Sequence, residues 1–151
     1  MVLPVHYNRL VRLIDRGQRV RLDVDLAVDW HEGDAMEANV IAEIPGTDPA
    51  LRDQVVMIGA HLDSWHSGTG ATDNAAGVSV VMEAARALQA LYASRGQGPR
   101  RTIRFGLWTG EEQGLFGSMA HVNQRYATIP GYGQPATALG PEHDRFQAYF
   151  N

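Results

Sequence analysis

The sequence predicts an α/β fold in which a mixed β-sheet is flanked by helices. Two observations lead there. Residues 54–60 (QVVMIGA) and 102–108 (TIRFGLW) are short, nearly continuous apolar runs, as expected of central strands buried on both faces. Between them, residues 74–94 place Val78, Val81, Met82, Ala85, Leu88 and Leu91 at helical spacing, so strand, helix and strand alternate.

The remaining elements follow in chain order. Tyr7, Leu10, Val11 and Ile14 predict a helix over residues 4–17, with Gly17 as its C-terminal stop. Val20, Leu22, Val24, Leu26, Val28 and Trp30 then alternate with Arg19, Arg21, Asp23, Asp25 and Asp29. That period of two predicts a half-buried, antiparallel strand. A turn is expected at 31–36, a strand at 38–44 closed by Pro45-Gly46, and a polar loop at 46–52. The run at 54–60 ends at His61, and a glycine-rich loop follows at 64–72. Residues 96–99 break the long helix, 115–126 read as a second helix, and 127–142 hold three Pro and three Gly and read as a loop. A further strand begins at 146–150.

Composition narrows the function classes. A chain of 151 residues suits one small domain by the usual prior of ~100–200 residues. Its formal charge of −4 argues against a nucleic-acid binder. No apolar run reaches the ~18 residues of a membrane span. The absence of cysteine excludes disulfides, thiolate metal sites and cysteine nucleophiles. No charged segment followed by an apolar one marks a signal peptide, and both ends of the sequence read as cuts.

Open α/β sheets place their sites beyond the carboxyl ends of strands. His61 and Asp63 directly follow one predicted strand, Glu111 and Glu112 follow another, and Asp73 stands at the mouth of the long helix. Each has an ordinary explanation alone. His61 is then a plain polar residue, Asp63 solvates a turn, Asp73 is a helix N-cap, and the two Glu residues form a solvated helix N-terminus. Together they place one imidazole and four carboxylates at one sheet edge, which is unfavourable unless cations neutralise them. His plus carboxylate is a ligand set suited to a zinc hydrolase. In H-x-D the two side chains share a face, so one can bind metal while the other orients it. Of two adjacent Glu residues, one can ligate while the other serves as general base.

The strings GAHLDSW, GATDNAAGV and TGEEQGLFGS resemble the three motifs of the co-catalytic dizinc exopeptidases. HYNRL, NVIAEIPG and AYFN resemble the plasma glutamate carboxypeptidase-like branch of that family. The resemblance spans nearly the whole chain. It implies the zinc exopeptidase α/β/α sandwich, here incomplete, and two Zn2+ in the full site. It assigns metal binding to His61, Asp73 (bridging) and Glu112, and catalysis to Glu111 as general base and acid, with Asp63 orienting His61. It implies a peptide or dipeptide substrate, no nucleic acid, no membrane span, and a secreted or periplasmic location; a homodimer stays open. Residues 1–26 resemble the tail of an inserted protease-associated domain and its return, and 27–151 the N-terminal part of the catalytic domain.

The family's site has two further ligands, an Asp and a His, later in the chain, so the isolated 151 residues are expected to bind zinc weakly and not to turn over. His66 is a loop candidate that can approach the site. His121 is expected on a helix surface, His143 in a solvated loop, and His6 and His31 in structural or exposed places. Two other readings are a non-catalytic binding module of the transferrin-receptor kind and an intact small hydrolase using His66 or His143.

Overall fold

The structure, a computed structural model, describes residues 3–29, 33 and 36–151. The chain forms two compact units, Met1–Asp34 and Ala35–Asn151.

In the first unit, helix α1 spans Pro4–Asp15. Proline suits a first helical turn, where its missing N–H has no intrahelical acceptor to lose. At the other end Gly17 takes a φ of 71°, a conformation glycine reaches without strain, and its N–H donates to the Ile14 carbonyl at 2.8 Å. The strand expected from Val20 does not form. Residues 20–29 join no ladder, and Leu22, Val24, Leu26 and Val28 are all exposed. Alternation provides an apolar face, but a strand also needs a neighbour to bond and a surface to cover, and among the described residues neither is offered. Trp30, His31 and most of the expected turn lie outside the described residues.

The second unit is built on a four-stranded sheet, ordered β1 (Val40–Ile44), β3 (Thr102–Trp108), β2 (Val55–His61), β6 (Phe146–Phe150). β1 runs antiparallel to β3, while β2 runs parallel to both β3 and β6. The mixed sheet expected from the sequence is therefore present, with helix α2 (Gly77–Arg95) connecting β2 to β3.

The two central strands are apolar on both faces because both faces are covered. Ile58 and Ala60 of β2 and Ile103, Phe105 and Leu107 of β3 pack with Val78, Val81, Ala85, Leu88 and Tyr92 of α2. On the opposite face, Val55, Met57 and Trp108 pack with Val122 and Tyr126, at the end of helix α3 (Phe116–Arg125). Met82 and Leu91, expected on the buried stripe of α2, are exposed. The observed stripe runs through 78, 81, 85, 88 and 92, so the helix presents a narrower face than the composition suggested.

Three boundaries differ from the sequence reading. β1 begins at Val40 and leaves Ala38 and Asn39 outside the ladder. The loop at 127–142 contains a short hairpin, β4 (Ala127–Thr128) with β5 (Ala138–Leu139). The long helix starts at Gly77, preceded by an irregular turn over Ala71–Ala76 in which Asp73 and Asn74 are non-helical and the Asp73–Asn74 peptide is cis.

The sheet is closely packed at its two central glycines. Gly59 and Gly106 are register partners in β2 and β3. A Cβ on Gly59 would lie 2.6 Å from Tyr149 Oη and 2.7 Å from Trp108 Nε1. Trp108 Nε1 donates to Tyr149 Oη at 2.8 Å across this gap, so the indole lies on the glycines where other residues would hold it off.

Candidate metal centre

The site lies at the carboxyl ends of β2 and β3, which finish together: His61 is the register partner of Trp108. Leu62 N–H donates to the Trp108 carbonyl at 2.6 Å, which extends the pairing one step past His61.

His61 is the hub. Its Nδ1 lies 3.0 Å from the backbone oxygen of Asp63. A carbonyl oxygen only accepts, so this contact uses a proton on Nδ1 and turns Nε2 toward the carboxylates. Nε2 is 2.9 Å from Asp73 Oδ1 and 3.9 Å from Glu111 Oε2. Ligand atoms of His61, Glu111 and Glu112 all fall within 4.8 Å of one another.

Asp63 holds the glutamates through the backbone. Its Oδ1 accepts the Glu111 N–H at 3.0 Å and its Oδ2 the Glu112 N–H at 3.1 Å. Burial works against charge on Asp63, but these two N–H groups prevail and hold its carboxyl below the usual carboxylate range. Asp63 therefore touches His61 mainly through its main chain; its carboxylate, 3.6 Å from Nδ1, is given over to the loop.

Asp73 does not cap the long helix. The Gly77 N–H is taken at 3.0 Å by Asn74 Oδ1 instead. The Asp73 carboxylate is left 70% exposed beside His61. Nor do Glu111 and Glu112 begin a helix: α3 starts at Phe116, and both lie in the loop that leaves β3. Glu112 Oε1 is buried and has no hydrogen-bond partner among the described residues. Burial first, then the charges of Asp73 and Glu111, raise the Glu112 carboxyl above its ordinary value. An orphaned carboxylate oxygen among three other carboxylates and an imidazole nitrogen is a set that a divalent cation satisfies, so the residues present fit a zinc site of oxygen and nitrogen donors.

A cavity of about 390 Å3 opens on one side of the cluster, beside His61 and Glu111, with Trp108, His121, Tyr126 and Tyr149 in its wall. A second, of about 230 Å3, touches Asp73 and Glu112 together with Ser64 and Trp65. None of the other described histidines joins the cluster. His66 and His143 are exposed, the latter 3.0 Å from Asp144, and His6 is exposed on α1. His121, expected at the surface, is only 6% exposed and packs against Trp108 and Tyr126. It occupies the face of α3 that meets the sheet, an orientation that a ten-residue helix does not announce.

Two groups near the site escaped the sequence reading. Asn39, just before β1, bonds the loop that holds the glutamates. Buried Arg104 joins Glu43, the Tyr126 hydroxyl and Glu142, tying β1, β3 and the 127–142 segment together. An Arg inside an apolar run is a visible anomaly and was the available signal for the second; a lone Asn before a strand offers none.

One imidazole and several carboxylates gathered at the strand ends of an α/β sheet make a donor set suited to a divalent metal ion. The chain belongs to peptidase family M28, whose profile matches residues 39–151. It is 36% identical over 121 residues to carboxypeptidase Q of Bos taurus, covering 80% of this chain and 24% of that protein. It is 43% identical over 98 residues to leupeptin-inactivating enzyme 1 of Streptomyces exfoliatus, covering 62% and 21%. Among solved structures, a zinc aminopeptidase from Bacillus subtilis is similar with a TM-score of 0.56 and 28% identity, over 75% of this chain and 23% of that one. The chain spans about a quarter of the length of these relatives.

Proposed function

We propose that this chain supplies the general base and most of the metal-binding side chains of a zinc-dependent exopeptidase that removes terminal residues or dipeptides from peptides. The observation that supports this best is the convergence of His61, Glu111 and Glu112 ligand atoms within 4.8 Å, with Glu112 Oε1 buried and unpartnered. The zinc aminopeptidase among the similar structures points the same way.

In this reading His61, Asp73 and Glu112 would hold the two zinc ions. Bound zinc would polarise the scissile carbonyl and acidify a water molecule. Glu111 takes the proton of the attacking water and returns it to the leaving amine. Its placement suits that task, because Asp63 fixes its backbone while its carboxylate stays beside His61. The Asp63 carbonyl keeps the proton on Nδ1 and so presents Nε2 as the donor atom.

Further parts of the reading rest on family resemblance. The parent protein acts outside the cytoplasm, and among the described residues no helix is long and apolar enough to cross a membrane. Residues 1–26 are the returning tail of an inserted domain and 27–151 belong to the catalytic domain; the family match over 39–151 supports the second assignment. The 151 residues alone bind zinc weakly and do not turn over, because the family pattern that the motifs resemble takes two further ligands, an Asp and a His.

Zinc titration of the chelator-treated chain by calorimetry tests this, with His61→Ala and Glu112→Gln alongside. Weak saturable binding that both variants abolish is expected. Binding indifferent to both variants overturns the metal assignment, and two tight sites with peptidase turnover overturn the assignment of an incomplete site.

A further inference from the structure

We propose that Asn39 is a positioning residue for the loop that presents Glu111 and Glu112. The proposal rests on the functional reading above, and its grounds are geometric. Residues 109–117 leave β3 and return to α3 as a closed loop. At its base Gly117 N–H donates to the Thr109 carbonyl at 2.8 Å, and one step inward Phe116 N–H donates to the Gly110 carbonyl at 3.0 Å. That pairing uses the Thr109 oxygen and the Gly117 nitrogen. It leaves the Thr109 N–H without a backbone partner, while the Gly117 carbonyl, in the first turn of α3, keeps a second lone pair beside its helical bond, and Gly117 is buried.

One side chain serves both. Asn39 Oδ1 accepts the Thr109 N–H at 3.1 Å, and Asn39 Nδ2 donates to the Gly117 carbonyl at 2.8 Å. A carboxamide carries an acceptor oxygen and a donor NH2 side by side, as a peptide group carries C=O and N–H, so Asn39 stands in for one more residue of a neighbouring strand. Its own position is fixed by the sheet. It directly precedes Val40, whose register partner is Leu107, two residues before Thr109. The closure is tight: a Cβ on Gly117 would lie 2.5 Å from the Thr109 oxygen and would overlap Asn39 Oδ1.

The two glutamates thus sit between two clamps. Asp63, from the end of β2, holds the loop at Glu111 and Glu112 themselves. Asn39, from the start of β1, holds its base. Groups that fix a metal-binding side chain from behind commonly change metal affinity by about 10–100-fold when removed. Asn39 acts one step further away, through the backbone, so an effect at the lower end is expected.

The test uses the full chain with Asn39→Ala and Asn39→Leu. Leucine keeps the branched outline of asparagine without its donor and acceptor, and alanine removes the bulk, so together they separate bonding from packing. Thr47→Ala is the control, because Thr47 also bonds distant backbone, at Gly98 and Pro99. Amide hydrogen exchange is measured without metal, and cobalt(II) affinity and visible absorption with it. Both Asn39 variants should exchange about tenfold faster across 109–117, from the loss of the two Asn39 hydrogen bonds, while 55–61 and 102–107 stay protected. Cobalt affinity should fall on the order of tenfold with an altered absorption envelope, and Thr47→Ala should show neither change. Unchanged exchange at 109–117 overturns the proposal, as does protection lost uniformly over the sheet, or a cobalt effect no larger than in the control. If the unaltered chain binds no cobalt, the metal reading fails, and the exchange measurement still decides whether Asn39 holds the loop.

Discussion

Replacing Asp63 by Asn tests the backbone clamp most directly. The two side chains are nearly isosteric, but the carboxylate accepts from both Glu111 N–H and Glu112 N–H, at 3.0 and 3.1 Å. A carboxamide has one oxygen, so its NH2 must face the other N–H. One charge-assisted hydrogen bond is lost and the second becomes neutral. A hydrogen bond to a charged group contributes ~1.5–3 kcal/mol, and the Asp63 side chain is 20% exposed, so little solvent relief is available. Asp63→Asn should therefore lower stability by about 2 kcal/mol. With a urea slope of ~1–3 kcal/mol/M, the midpoint falls by about 1 M. Tryptophan emission reports the transition because Trp108 is buried in the sheet face. Hydrogen exchange at the Glu111 and Glu112 amides separates local loop opening from global unfolding. A variant within ~0.5 kcal/mol of the parent, with those two amides still protected, would show that the clamp does not hold the loop in solution.

Gly59→Ala should cost about 1–3 kcal/mol by overpacking and break the Trp108–Tyr149 hydrogen bond, visible as a changed near-ultraviolet circular dichroism of the indole. His121→Phe should flatten the pH dependence of stability below neutrality. Burial first, then the nearby charges of Arg125 and Arg104, hold the His121 imidazole below its ordinary value, against the opposing pull of Glu142. The unfolded chain then binds the extra proton first, so the native state loses stability as pH falls below about 6.5. Thermal melts between pH 7.5 and 5.5 check it: the unaltered chain should lose more stability than the variant over that range.

Much of the second unit was legible because its physics is local. Strands covered on both faces must be apolar throughout, so QVVMIGA and TIRFGLW were readable as β2 and β3. The chemistry at their ends was readable because the site residues cluster in three short strings. What failed to read depends on partners distant in sequence. The alternation at 20–28 specifies a face, not a neighbour. Asp73 and Asn74 look equally able to cap a helix, and only the path of the turn gives that role to Asn74. His121 and Arg104 are buried by groups that no window around them contains. Asn39 bonds residues 70 and 78 positions away, beyond any periodicity.

The parallel register of β2 and β3 also sets what lengths the sequence can tolerate. His61 faces Trp108, and Glu111 comes three residues after that partner. Inserting one residue within either strand would turn every later side chain in it to the opposite face and carry its share of the cluster away from the other. Inserting two would restore the facing but displace one half of the cluster by ~6.6 Å along the strand, beyond the reach of a shared ion. Length changes are therefore confined to the loops, and the spacing between the ligand sets is measured out by the backbone ladder beneath them.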